Sequence, residues 1–65
     1  MKIVVNGEAA ETASVNLAQL LNEFGYADAI VATALNGAMV RAVKRGETAI
    51  ADGDRIEILA PMQGG

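Results

Sequence analysis

Apolar residues recur with a helical period in the first half of the chain. Four of them stand at positions i, i+3, i+4 and i+7: Leu17, Leu20, Leu21 and Phe24. This spacing puts their side chains on one face of a helix of about two turns. Asn16 is the predicted N-cap, and Gln19 can complete a capping box with it. Val15 stands at the matching position of a hydrophobic staple with Leu20, and Gly25 follows where a left-handed C-cap residue is favoured.

The N-terminal segment predicts a β-hairpin. Its first residues are short and β-branched, and Asn6-Gly7 follows them. Both turn residues tolerate the positive φ of a type I′ turn, which is the strongest local hairpin signal. We predict antiparallel strands at residues 2–6 and 8–13. The second strand depends on tertiary packing, because its alanines have a low strand propensity.

A second Asn-Gly turn divides the next apolar stretch. Residues 30–35 are apolar without clean alternation, which favours a strand buried on both faces. Asn36-Gly37 then turns the chain into a short strand at residues 38–40. The pattern predicts a second hairpin.

The hydrophobic pattern is lost after residue 40 and returns near the C-terminus. Residues 41–51 show no sustained period and predict an irregular connection, with room for one helical turn, that buries Val43 and Ile50. Asp52-Gly53-Asp54 is typical of a turn. Residues 55–59 follow it, and their alternation predicts a half-buried strand.

These elements predict one α+β roll. A single helix that crosses one face of a mixed sheet of four to five strands gives all of them a shared core. A right-handed crossover returns the chain to the sheet, and the last strand then pairs in parallel with the first. Pro61 cannot donate a ladder hydrogen bond, so we divide the chain into a domain at residues 1–60 and a flexible C-terminal tail at residues 61–65.

Length and composition narrow the function classes. A chain of 65 residues is one domain without room for a large active-site cavity. The net charge of -3 and the pI near 4.6 argue against nucleic-acid binding and suit a basic protein partner. No apolar stretch approaches the roughly 18 residues of a membrane span, and we expect no membrane partner and a cytoplasmic location.

The chain lacks the side chains of a self-contained enzyme. It has no His and no Cys, so Ser14 has no imidazole to activate it. We find no phosphate-binding glycine loop and no metal-ligand cluster, and the spacing of Asp52 and Asp54 indicates turn residues rather than a pair of catalytic carboxylates. We therefore predict a protein that enzymes act on, without catalytic, cofactor-binding or metal-binding residues.

Four segments in sequence order resemble a known family: KIVVNGE, NLAQLLNEFG, ALNGAMV and DGDRIEILAPMQGG. Together they span almost the whole chain. They resemble the β-grasp, or ubiquitin-like, fold and, with the terminal Gly64-Gly65, the ThiS/MoaD-like family of bacterial sulfur carriers. The size, the LNG turn and the DGD turn before the last strand are most similar to the thiamine-biosynthesis branch of this family.

This resemblance implies a specific chemistry at Gly65. An E1-like (ThiF-like) adenylating enzyme would activate the Gly65 carboxylate with ATP and magnesium, and sulfur would then replace one oxygen to give a thiocarboxylate. A cysteine desulfurase would be the sulfur donor protein and thiazole synthase the acceptor. The carrier itself would bind no cofactor.

The C-terminal residues have the properties that this chemistry needs. A terminal carboxyl with a pKa of about 3.3–3.7 is ionised at neutral pH and can attack phosphorus without a general base. Gly64 and Gly65 have no Cβ and can pass through a narrow channel. Five extended residues reach at most about 17 Å. Met62 and Leu59 are candidate partner contacts, although Met62 can also lean on the sheet and Leu59 can also belong to the core.

Three alternatives remain open from the sequence. The small subunit of molybdopterin synthase also ends in diglycine, and Pro61 is reminiscent of it. A ubiquitin-like modifier would form isopeptide bonds to lysines through Gly65. A β-grasp domain that carries no group on its C-terminus would keep its function when Gly65 is removed.

Overall fold

The computed structural model describes residues 1–60, which form a five-stranded mixed sheet with one α-helix and one 3-10 helix. The elements in chain order are β1 (Lys2–Val5), β2 (Glu8–Glu11), α1 (Leu17–Glu23), β3 (Ala32–Leu35), β4 (Ala38–Val40), the 3-10 helix (Ala42–Glu47) and β5 (Arg55–Leu59). None of the helices in this part of the chain has the length and apolar character of a membrane span.

The strand order is β2-β1-β5-β3-β4, with β5 in the centre. β1 pairs with β2, and β3 with both β4 and β5, in antiparallel ladders. β1 and β5 are parallel, with Val4 opposite Arg55 and Val5 opposite Ile56. The predicted parallel pairing of the first and last strands is confirmed, and with it the β-grasp roll.

The core lies between α1 and one face of the sheet. Its buried apolar residues come from β1, α1, β5 and the connection before β5: Ile3, Leu17, Leu20, Leu21, Ile50, Ile56 and Ile58. Phe24 is half-buried and packs against them. β5 buries Ile56 and Ile58 and exposes the residues between and beside them, so its predicted alternation is confirmed.

Side-chain and backbone caps define both ends of α1. Asn16 Oδ1 accepts a hydrogen bond from the Gln19 N–H at 2.8 Å, and Gln19 Oε1 accepts one from the Val15 N–H at 3.0 Å. In an ordinary capping box the Gln19 side chain would accept from the N–H of the N-cap residue Asn16, whereas here it accepts from the residue before it. Gly25, with φ 88°, ends the helix as predicted. Val15 is 59% exposed, so the predicted staple with Leu20 would bury little of it, and that contact stays a prediction.

The strand predicted at residues 30–35 differs from the observed β3. β3 begins at Ala32, two residues later than predicted. The prediction that this strand is buried on both faces is wrong, because Ala32 is exposed and Ile30, before the strand, is 84% exposed. The single helix covers one face of the sheet only, so the apolar residues of the other face remain at the surface. The predicted strand at residues 8–13 likewise ends early, at Glu11.

The connection after β4 also differs from its prediction. Residues 42–47 form a 3-10 helix without a buried residue, and Val43 is 76% exposed rather than buried. Hydrogen bonds from Arg45 hold this segment on the sheet: Nε donates to Thr33 Oγ1 at 3.0 Å, and Nη2 to the Val31 carbonyl at 2.7 Å. Ile50 is buried, as predicted.

Candidate functional site

β5 carries the chain from the centre of the sheet towards the C-terminus. It is hydrogen-bonded on both sides, in parallel to β1 and antiparallel to β3. The described part of the chain ends at Ala60, one residue after β5. Met62, Gly64 and Gly65 lie outside the described residues, so their predicted roles stay predictions. The structure thus describes the chain up to the start of the predicted tail.

The turn before β5 uses both of its aspartates for backbone contacts. Asp52 Oδ1 accepts a hydrogen bond from the Lys2 N–H at 2.7 Å, and Asp54 Oδ2 accepts one from the Ala51 N–H at 2.8 Å. Gly53 has φ 88°, a conformation that glycine adopts at little cost. The predicted turn role of these carboxylates is confirmed.

The asparagines of the two hairpin turns both bond to β5. Asn6 Oδ1 accepts from the Ile58 N–H at 2.8 Å, and its Nδ2 donates to the Ile58 carbonyl at 3.1 Å. Asn36 Oδ1 accepts from the Arg55 N–H at 2.9 Å, and its Nδ2 donates to Asp54 Oδ1 at 3.1 Å. The Asn-Gly signal predicts the turns alone, since these partners are distant in sequence.

An exposed apolar surface adjoins the end of β5. A shallow depression there is lined by Ile30, Val31, Ala32, Leu59 and Ala60. Ala32 and Leu59 are opposite each other in the β3–β5 ladder and are both exposed. We call Ile30, Ala32, Leu59 and Ala60 the outer patch. Leu59 is 66% exposed, which excludes the core alternative and leaves it available to a partner.

A larger depression, of about 420 Å³, lies away from the outer patch. Asn36, Gly37, Arg55 and Glu57 line it, next to the beginning of β5. It is lined by the second hairpin turn and by charged side chains, whereas the outer patch adjoins the opposite end of the strand. Of these two depressions, the one at the outer patch therefore adjoins Ala60, the last described residue.

The polar cluster around Glu23 is structural. The Thr12 and Ser14 hydroxyls both donate to Glu23 Oε1, the second at 2.7 Å. These hydrogen bonds lower the pKa of Glu23 from its ordinary value, and the bond from Thr12 has the larger effect. The cluster ties the segment before α1 to the end of the helix. Within residues 1–60, no group of three or more acidic side chains is placed to hold a metal ion.

Comparisons with known proteins agree with this architecture and extend over the tail. The sequence model of the ThiS family matches residues 3–65. The crystal structure of the thiamine biosynthesis protein ThiS from Geobacter metallireducens aligns over 100% of both chains, with a TM-score of 0.85 and 32% sequence identity.

A solution structure of a thiamine biosynthesis protein from the same organism is similar as well. It has a TM-score of 0.82 and 30% identity, over 100% of this chain and 88% of the other. The curated protein sequences contain no match to the chain. The family match covers nearly every residue, and the two solved structures share the fold over the full length of this chain. The chain therefore belongs to the ThiS family.

Proposed function

We propose that the protein is a sulfur carrier of thiamine biosynthesis and that it carries sulfur on the carboxyl group of Gly65. One observation carries the proposal: the family match extends to residue 65 and so includes the terminal Gly64-Gly65. The names of the two similar structures support the thiamine pathway over molybdenum cofactor synthesis and over protein modification.

The first chemical step is activation of the C-terminus. The ionised Gly65 carboxylate attacks the α-phosphorus of ATP in the active site of an E1-like adenylating enzyme, and pyrophosphate leaves. The product is an acyl adenylate, whose carbonyl carbon is open to a nucleophile because AMP is a good leaving group. ATP and magnesium belong to the enzyme. The carrier contributes the carboxylate and the access to it.

Sulfur transfer completes the loading. A cysteine desulfurase supplies sulfur as an enzyme persulfide, whose terminal sulfur displaces AMP from the Gly65 carbonyl carbon to form an acyl disulfide. A thiol then reduces this acyl disulfide, which releases the thiocarboxylate and leaves a disulfide between the two thiols. Thiazole synthase is then the acceptor. The carrier needs no cofactor and no catalytic side chain of its own for either step, since each reacting group other than the terminal carboxyl comes from a partner.

The described domain has the features of a platform for this reaction. β5 is anchored between two strands and ends within a few residues of the tail. Five residues beyond Ala60 reach at most about 17 Å, which suffices to enter an active site while the domain stays outside it. The outer patch lies at the base of this tail, and exposed apolar surfaces of this kind mark protein contacts. We assign Leu59, with Met62, to the contact with the adenylating enzyme.

Intact-mass spectrometry tests the proposal directly. The chain is incubated with ATP and magnesium, the cognate adenylating enzyme, a cysteine desulfurase, cysteine and a thiol reductant. We expect the mass gain of one oxygen-to-sulfur exchange, located by fragmentation at Gly65. Addition of thiazole synthase with its other substrates should then return the carrier to its original mass.

A chain that lacks only Gly65 is the matched control, because the described domain is unchanged in it. We expect no adenylation and no mass gain from this variant. Sulfur loading of the shortened chain, or a full-length chain that is never loaded, would overturn the proposal. Sulfur transfer to a pterin precursor instead of the thiazole precursor would assign the chain to molybdenum cofactor synthesis.

A further inference from the structure

The Asn6 side chain takes the place of a backbone peptide in the β1–β5 ladder. Two backbone carbonyls face β1 here, that of Asp54, just before β5, and that of Ile56 within it. The Val4 N–H donates to the first and the Asn6 N–H to the second, both at 2.9 Å. The next residue of β5 with this orientation is Ile58. Its partner is the Asn6 carboxamide, which accepts from the Ile58 N–H and donates to the Ile58 carbonyl.

The turn conformation explains why a side chain is needed here. β1 ends at Val5, and Asn6 has φ 51°, the left-handed conformation that starts the Asn-Gly turn. The main chain therefore leaves the ladder while β5 continues beside it. Without the carboxamide, both backbone groups of Ile58 would lack a partner on the β1 side. Both bonds are partly buried, which limits competition from water.

Ile58 is the last residue of β5 that is held from the β1 side. Leu59 and Ala60 follow it, and then the tail. We propose that Asn6 is a positioning residue for the tail, because its carboxamide holds the end of β5 on the β1 side, while the pairing of Leu59 with Ala32 holds it on the β3 side, and the two together fix the point from which the chain leaves the sheet. This inference rests on the proposed function. A fixed base reduces the conformational entropy that is lost when the tail enters a partner.

Asn36 provides a matched control within the same molecule. It also has φ 51°, it is also followed by a glycine with positive φ, and its carboxamide also bonds to β5. Its partners are the Arg55 N–H and Asp54 Oδ1, at the beginning of the strand. The two asparagines thus share turn type and chemistry but hold opposite ends of β5.

The test compares Asn6→Gly with Asn36→Gly in the full-length chain. Glycine adopts the same positive φ at little cost, so each variant loses the carboxamide and keeps the turn. Asn6 loses two neutral hydrogen bonds, and Asn36 loses one neutral bond and one to the Asp54 carboxylate, so each loss corresponds to a change of at least about tenfold in an equilibrium constant. We expect amide hydrogen exchange to accelerate about tenfold at Ile58 in Asn6→Gly and at Arg55 in Asn36→Gly.

Adenylation kinetics separate positioning from stability. Pyrophosphate release by the adenylating enzyme is measured against carrier concentration. Asn6→Gly should raise KM about tenfold and leave kcat within about twofold, because the tail must be ordered on binding but reacts normally once bound. Asn36→Gly should leave both constants within about twofold. Asn6→Asp tolerates the same φ and keeps an acceptor for the Ile58 N–H, so its KM should lie between those of the wild type and Asn6→Gly.

The outcomes distinguish this inference from the proposed function. A wild-type chain that is never adenylated would overturn both. An adenylated wild type with equal KM values for Asn6→Gly and Asn36→Gly would overturn the inference alone, because a general loss of stability would then explain the kinetics. Faster exchange at Ile58 without a change in KM would show that the end of β5 does not position the tail, and would overturn the inference as well.

Discussion

The chain contains the same arrangement twice, a hairpin with an Asn-Gly turn followed by a helical connection, and the two connections are held in different ways. The connection after β2 contains α1, which buries Leu17, Leu20 and Leu21. The connection after β4 contains the 3-10 helix, which buries none of its residues. Arg45 holds this second connection on the sheet with two hydrogen bonds to β3 and the residue before it.

This difference shows how a small domain divides its apolar residues. One helix with a buried face is enough to cover the inner face of a five-stranded sheet, together with Ile50. A second amphipathic helix would have no core left to cover, so the second connection needs only to cross the end of the sheet and return to β5. Hydrogen bonds from Arg45 and backbone hydrogen bonds between residues 48–50 and the start of α1 meet that need, and Ile50 is the one residue that this connection buries.

The largest effect that tests this comparison is expected at Leu20. Leu20→Ala removes a fully buried side chain from α1 and should lower the free energy of unfolding by about 2–5 kcal/mol. Val43→Ala in the 3-10 helix should change it by less than about 0.5 kcal/mol, because Val43 is exposed. Urea denaturation measures both. Similar losses in the two variants would mean that both connections depend on burial.

The next effect tests the polar attachment of the second connection. Arg45→Ala removes both hydrogen bonds and should cost about 1.5–3 kcal/mol, the range for bonds from a charged donor. Lys44→Ala is the control, since the Lys44 side chain forms an exposed ion pair with Glu47 at 3.9 Å, and its loss should change the free energy of unfolding by less than about 0.5 kcal/mol.

Arg45→Lys provides a second, conservative variant. A lysine ammonium lacks the planar fork that reaches Thr33 and Val31 together, so we expect it to recover less than half of the stability lost in Arg45→Ala. Thermal denaturation under the same conditions ranks the three variants. Equal stability of Arg45→Ala and Lys44→Ala would contradict the role of Arg45.

The sequence predicts the connection with α1 well and the connection with the 3-10 helix poorly, because only the first is marked by local signals. α1 has a stripe of apolar residues, an N-cap and a C-cap glycine, and each of these local signals agrees with the core that the helix covers. The second connection has no local period, and its attachment depends on Arg45, which lies 12 residues from Thr33 in sequence. A burial prediction for Val43 from hydrophobicity alone was wrong for that reason.

Some features of the candidate site could likewise be predicted from the sequence, and others depend on the assembled sheet. The turns, the alternation of β5 and its parallel pairing with β1 follow from local patterns and topology. The contacts of Asn6 do not, because Ile58 is 52 residues away and only the assembled sheet brings the two together. The exposure of Ile30 and Leu59 also depends on which face of the sheet α1 covers. The roles of Gly64 and Gly65 stay predictions that the loading experiment tests.

A smaller effect is expected at the start of each helix. Asn16→Ala removes the side-chain cap of α1 and should cost about 1 kcal/mol. Arg41 is the corresponding residue of the 3-10 helix and makes no capping hydrogen bond through its side chain, so Arg41→Ala should leave stability within about 0.5 kcal/mol. Chemical denaturation tests the pair. A loss at Arg41 equal to that at Asn16 would mean that the second connection also depends on its N-terminal residue.

The smallest effect is a difference in pH dependence between the two connections. Glu23, at the end of α1, has its pKa lowered from 4.5 by hydrogen bonds from Thr12 and Ser14. Since the folded state binds this proton less well than the unfolded state, Glu23 stabilises the fold above the unfolded pKa, and this contribution is lost as the pH falls through the lower, folded value. Arg45 in the second connection bonds to a hydroxyl and a carbonyl, neither of which titrates.

Denaturation between pH 7 and pH 3 should separate these two kinds of attachment. The stability of Glu23→Gln should decline less than that of the wild type on acidification, because the group that loses its charge is absent. Glu8→Gln, a substitution at an exposed residue of β2, should decline in parallel with the wild type. The deficit of Arg45→Ala should stay constant over this range, because its acceptors are neutral throughout. A deficit at Arg45 that shrinks together with the Glu23 contribution would mean that one titrating network joins the two connections, and the distinction between them would fail.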